Sequence, residues 1–64
     1  MNALHEKFKK RVSTALKDEL DAIKLYTEMI GMVPNPRIQQ MIAEIRGDEQ
    51  DHHRILLRIQ EMVK

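Results

Sequence analysis

The sequence predicts an all-α protein, two long helices folded back as an antiparallel hairpin that dimerises into a four-helix bundle. Three observations carry that expectation. Apolar residues recur at helical spacing through both halves of the 64-residue chain. The one strong break is Pro34-Asn35-Pro36, near the middle. No strand signal, low-complexity segment or linker interrupts the pattern.

The first helix is expected over about residues 2–31. Asn2 suits its N-cap, good helix formers without proline follow, and Gly31 closes the run. Its apolar stripe is Val12, Leu16, Glu19, Ile23, Tyr26, Ile30 and Val33, with Glu19 the single carboxylate in it. The turn is expected over residues 32–36. Val33 and Asn35 each precede a proline, which pushes both out of the α region. Asn35 then caps the second helix, and Pro36 takes the first helical position, where its missing N–H costs nothing.

The second helix is expected over about residues 36–63. Steps of four and three give the stripe Ile38, Ile42, Ile45, Glu49, His52, Leu56, Ile59 and Val63. Two ionisable side chains stand at its centre, three residues apart and so on one helical turn. A buried carboxylate is costly unless it is paired or binds a cation. Glu19, Glu49 and His52 are therefore the lead to function.

Register tests the lead. Glu19 lies 16 residues before Asn35, and Glu49 and His52 lie 14 and 17 after it. At about 1.5 Å per residue their heights above the turn are about 24, 21 and 26 Å. The three groups should meet at one level. A lone hairpin leaves an apolar face open, widened by Leu20, Met29, Met41, Ile55, Leu57 and Met62. A second copy related by two-fold symmetry would cover it and double the ligand set to two Glu and two Glu-x-x-His. That is the constellation of carboxylate-bridged di-iron bundles.

Composition narrows the alternatives. The formal net charge is +1, so no general attraction to nucleic acid or anionic membrane follows. The basic run Lys7, Lys9, Lys10 and Arg11 has no interleaved aromatics, and nucleic-acid binding is not expected. With 42% hydrophobic and 33% charged residues the chain is too apolar and periodic for a disordered tail. There are no cysteines, which removes disulfides, thiolate metal sites and Cys nucleophiles. No apolar run approaches a membrane span and no signal-peptide core opens the chain, so a cytoplasmic protein is expected.

At Glu19, Tyr26, Glu49 and His52 the sequence resembles the ferritin-like superfamily, and within it the encapsulated ferritins. Glu19 precedes Tyr26 by seven residues, and Glu49, with His52 completing its pair, follows Glu19 by thirty. The match spans roughly residues 15 to 60. Asp18 and Asp21 stand where the family has the Glu residues linked to metal entry. Leu25 stands where an aromatic often precedes the tyrosine, and Glu61-Met62-Val63-Lys64 is not an encapsulin-docking tail.

The resemblance implies a ferroxidase that oxidises Fe(II) with dioxygen for iron storage or detoxification, at a di-iron centre between two subunits. Glu19, Glu49 and His52 of each chain would be the ligands, with Glu49 bridging. It also implies a ring of such dimers and a location inside an encapsulin shell. The oxygen-rich ligand set suits iron, with zinc, manganese or calcium as substitutes.

Two other classes stay open. A rubrerythrin-like peroxidase would use the same ligands with an electron donor, but without cysteine this chain holds no rubredoxin-type centre. A non-catalytic dimerising hairpin would use its polar seam residues only to set register.

The remaining residues have plainer readings beside functional ones. Tyr26 is either a buried tyrosine with a satisfied hydroxyl or a hydrogen-bond donor to the partner's site. His53 points about 100° from His52 and is expected in solvent, and His5 is far from the site. Glu44, Asp48 and Asp51 read as a solvated face. The five methionines read as adaptable interface filler. Gly47 would be explained by close approach of a neighbouring helix.

Overall fold

The computed structural model describes residues 3–64. Helix α1 spans Ala3–Met32 and helix α2 spans Pro36–Met62, packed as a hairpin with no strand among the described residues. The molecule is a rod of 52 × 15 × 12 Å. The expected N-cap Asn2 lies outside the described residues.

The turn is built as its prolines and Asn35 dictate. Asn35 sits at φ −82°, ψ 115°, and its side-chain oxygen accepts from the Arg37 and Ile38 N–H groups at 2.9 and 3.2 Å. Pro36 has no N–H, so two of the three orphan donors of α2 are thereby satisfied. Helix α2 closes with the Val63 N–H donating to the Ile59 carbonyl at 3.1 Å, so Val63 is its cap rather than its last residue.

The end of α1 departs from expectation. Gly31 does not close it; the helix runs on to Met32, and no glycine has positive φ. Gln39 of α2 supplies the cap instead, its amide nitrogen donating to the carbonyls of Val33 at 2.6 Å and Ile30 at 3.3 Å. A side chain of α2 thus satisfies one carbonyl in the last turn of α1 and one in the connection. Gln39→Ala is expected to lower unfolding stability by about 1–2 kcal/mol, read by urea titration, with native helix content unchanged.

Gly47 also departs. A Cβ built there meets nothing within 4 Å, so no helix of this chain approaches it closely. Gly47→Ala is expected to stabilise the chain by about 0.5–1 kcal/mol through helix propensity, raising the melting temperature.

The core is thin. Val12, Leu16 and Ile42 are buried, while Ile23, Tyr26, Ile30 and Val33 of the α1 stripe are half-buried. On α2 the stripe is turned: Glu49, Leu56, Ile59 and Val63 are half-buried, but Ile38, Ile45 and His52 are exposed. Each exposed member has a half-buried successor, Gln39, Arg46 and His53, about 100° further round. The Arg46 guanidinium crosses to the Thr27 hydroxyl at 3.2 Å. The apolar sector of α2 is therefore wider than one neighbour covers, and Ile38, Ile45 and His52 look out of the hairpin.

The accessible surface makes the same point. The hairpin exposes 5258 Å², whereas a compact monomer of this mass would expose about 4,300 Å².

Candidate metal centre

The structure brings Glu19, Glu49 and His52 together. One ligand atom from each lies within 4.8 Å of the other two, and among the described residues this is the one such group of His, Asp and Glu. Three facts of chain geometry produce it: one turn of α2 joins Glu49 to His52, the tight turn fixes the offset between helices, and the constant helical rise carries that offset to the level of Glu19.

Exposure differs among the three. Glu19 and Glu49 are half-buried between the helices, whereas the His52 side chain is 57% exposed and Glu19 only 20%. His52 Nδ1 stands 3.9 Å from Glu19 Oε2, too far for a hydrogen bond. Glu19 Oε2 is buried with no hydrogen-bond partner. A carboxylate oxygen out of water and without a donor needs a proton or a cation.

Electrostatics says the same. The Glu19 carboxyl is raised above its ordinary pKa, first because its protonated form can hydrogen-bond the Glu49 carboxylate, then by desolvation and by the Glu49 charge. The Asp18 charge adds to this, and His52 opposes it. Two carboxylates this close resist both being ionised. The donor set of two carboxylates and one imidazole fits a divalent first-row cation, which would hold both carboxylates ionised and satisfy the orphaned oxygen.

A pH dependence follows for the metal-free protein. The folded Glu19 carboxyl binds its proton more tightly than the unfolded one, so this group adds stability as pH falls. The gain accrues from the raised folded pKa down to the ordinary carboxylate range and is flat below it. The melting temperature of metal-free wild type relative to Glu19→Gln should therefore rise on acidification through that window; a fall would contradict the assignment.

The other singled-out residues are placed as follows. Tyr26 is half-buried two turns along α1, about 10.5 Å from Glu19 in rise. Asp18 and Asp21 are exposed, and Asp18 is close enough to act on Glu19. His53 is half-buried, contrary to the expectation that it lies in solvent, because α2 presents it beside the seam. Asp51 is paired with Arg54, while Glu44 and Asp48 are exposed. Gln39 and Arg46, which pin the two helices on either side of the turn, carry no periodicity signal and were not anticipated.

Comparison with curated proteins and with solved structures returns no match. The rubrerythrin family model matches residues 10–64. That span contains Glu19, Glu49 and His52, both helices over most of their length, and the turn between them. The chain belongs to the rubrerythrin family, within the ferritin-like superfamily.

Proposed function

We propose that the protein is a ferroxidase whose di-iron centre forms between two copies of the hairpin. The observation that carries this reading is the convergence of Glu19, Glu49 and His52 around an unpartnered buried carboxylate oxygen. Family membership supports iron as the metal, and the spacing shared with encapsulated ferritins supports oxidation by dioxygen. Zinc, manganese or calcium would occupy the same ligands without the redox step.

One chain offers two carboxylates and one imidazole, half the set a di-iron bundle uses. A second copy supplies the rest. The area supports this: the excess over a compact monomer is about 1,000 Å², close to the roughly 800 Å² per partner that a standard interface buries. His52 lies on the exposed side with Ile38, Ile45 and Ile55, so covering that side encloses the ligands.

In the assembled site the resemblance supports a role for each residue. Glu49, between the helices, would bridge two cations, while each Glu19 and His52 would complete one cation's shell. Bound Fe(II) would supply the electrons that dioxygen accepts. The isoleucines would exclude bulk water and strengthen the carboxylate field on the metal. Carboxylates favour Fe(III) over Fe(II) and so favour oxidation. Tyr26 would donate a hydrogen bond to the partner's site, and Asp18 and Asp21 would draw cations toward it. Assembly of dimers into a ring, and an encapsulin shell receiving the oxidised iron in the cytoplasm, complete the proposal.

Family membership also supports a peroxidase on the same ligands, in which peroxide takes the electrons. One experiment separates these readings. Protein loaded anaerobically with one Fe(II) per chain is mixed with oxygen or with peroxide, and near-UV absorbance is followed in time. Fast oxidation by oxygen in wild type, absent in Glu49→Ala, is expected. Preference for peroxide would move the assignment to the peroxidase, and equal background traces would overturn both.

A further inference from the structure

Six side chains line a pocket of about 320 Å³ between the helices near the chain ends: Lys9, Val12 and Ser13 of α1, and Gln60, Val63 and Lys64 of α2. On each helix they stand at i, i+3 and i+4, so each set shares one face within a turn. Lys9 lies ten residues before Glu19, about 15 Å along α1, which separates the pocket from the metal centre. We propose that the pocket binds a singly charged aliphatic carboxylate, its tail on the two valines and its head between the two lysines.

The pocket also lies apart from the face that a second copy would cover. Val12 is buried against α2. At 100° per residue, Lys9 and Ser13 lie roughly 60° and 100° to one side of it, and Phe8 and Ala15 roughly 40° and 60° to the other. A groove lined by Phe8, Ala15 and Leu56 occupies that other side, which is also the side of Ile45 and His52. A second copy seated there leaves the lysine-lined pocket open, and binding in it does not require the two-copy site.

Charge selects an anion. The lining holds two ammonium groups and no carboxylate. Of the six lysines in the chain, Lys9 alone is half-buried; the others are exposed. A lysine reaches that state by laying its stem on apolar surface with its ammonium at the edge. The close pairs of opposite charge among the described residues are His52–Glu19, Arg54–Asp51 and Lys64–Glu61, and none involves Lys9. Lys64 and Glu61 are both exposed, and such a pair exchanges partners at little cost.

The neutral lining selects the kind of anion. The Ser13 hydroxyl and the Gln60 amide add donors for the two oxygens of a carboxylate, and Val12 and Val63 offer an alkyl tail an apolar floor. A phosphate dianion suits the place less well. No arginine lines the pocket, and α2 ends beside it, so open carbonyls present partial negative charge there. The volume stands at the lower end of small-molecule sites, which begin at roughly 300 Å³, and so favours a short tail over a long-chain lipid.

Octanoate titrated into the full chain, followed by amide NMR shifts, makes the test. Saturable shifts centred on Ser13, Gln60 and Val63 are expected. Octanol, with the tail but not the charge, should bind at least about tenfold more weakly, and so should acetate, with the charge but not the tail. Lys9→Gln should lose about tenfold in octanoate affinity while Lys9→Arg retains most of it, both with wild-type helix content by circular dichroism. Equal binding of octanol, or shifts centred on Phe8, Ala15 and Leu56, would show association with apolar surface alone and overturn the site. Inorganic phosphate displacing octanoate at equal concentration would overturn the carboxylate assignment. Unchanged affinity in Lys9→Gln, or no saturation at millimolar octanoate, would overturn the proposal outright.

Discussion

Ile45→Asp is expected to leave the helices intact and abolish both the dimer and iron oxidation. Ile45 is 44% exposed in the single hairpin, so a carboxylate there meets solvent and does little to the fold. In the proposed two-copy bundle the same position would be covered, and two-fold symmetry would apply the change twice. Losing a buried isoleucine costs about 1.5–3 kcal/mol per copy before any charge is desolvated. Counted twice, that weakens the dimer by at least about a hundredfold, and the buried charge adds to it. The residue is four positions from Glu49 and carries no ligand atom. Loss of oxidation in Ile45→Asp therefore separates assembly from ligand chemistry. Gln40→Asp, exposed and outside the apolar row, is the control: it adds the same charge and should keep both mass and oxidation rate. Full oxidation by monomeric Ile45→Asp would show that one chain suffices, against the two-copy reading. Sedimentation equilibrium and stopped-flow absorbance on the same preparations make the measurement.

That prediction depends on which side of α2 looks outward, and the sequence alone blurs this. Its 4–3 stripe holds Ile38, Ile45 and His52 together with Ile42, Glu49 and Leu56, because a stripe in a bundle serves two neighbours at once. Only packing shows that Gln39, Arg46 and His53 take the inner edge while the first three take the outer one. Polar residues give no periodicity signal, so the Gln39 cap and the Arg46–Thr27 link were invisible until the turn had a shape. Gly31 misled for a related reason. Glycine permits a left-handed cap but does not require one, and Pro34 ended the helix regardless. The level of the site was legible because it needs only a constant rise and a short turn. Asn35 and the flanking prolines determine that turn, which is Val33, Pro34 and Asn35 alone.

The unpartnered Glu19 oxygen sets apart a metal site from a polar register device, and the last prediction rests on it. If a cation is the missing partner, metal-free protein carries an uncompensated carboxylate pair, and metal binding to the folded state alone adds stability by mass action. At a free metal concentration one hundred times Kd the gain is about 2.7 kcal/mol per site, a rise in melting temperature of roughly 10–20 °C for a domain this small. Glu19→Met keeps similar bulk and removes the carboxylate. Its metal-free form should melt above metal-free wild type, because an apolar side chain replaces a half-buried carboxylate with one oxygen out of water and without a donor. Anaerobic Fe(II) should then raise wild type well above Glu19→Met, which should gain little. A dimerising hairpin without metal chemistry gives a different pattern: no metal-dependent shift in either protein, and a Glu19→Met chain that is simply more stable throughout. The crossing of the two melting temperatures on adding metal is the result that only a cation held by Glu19 produces.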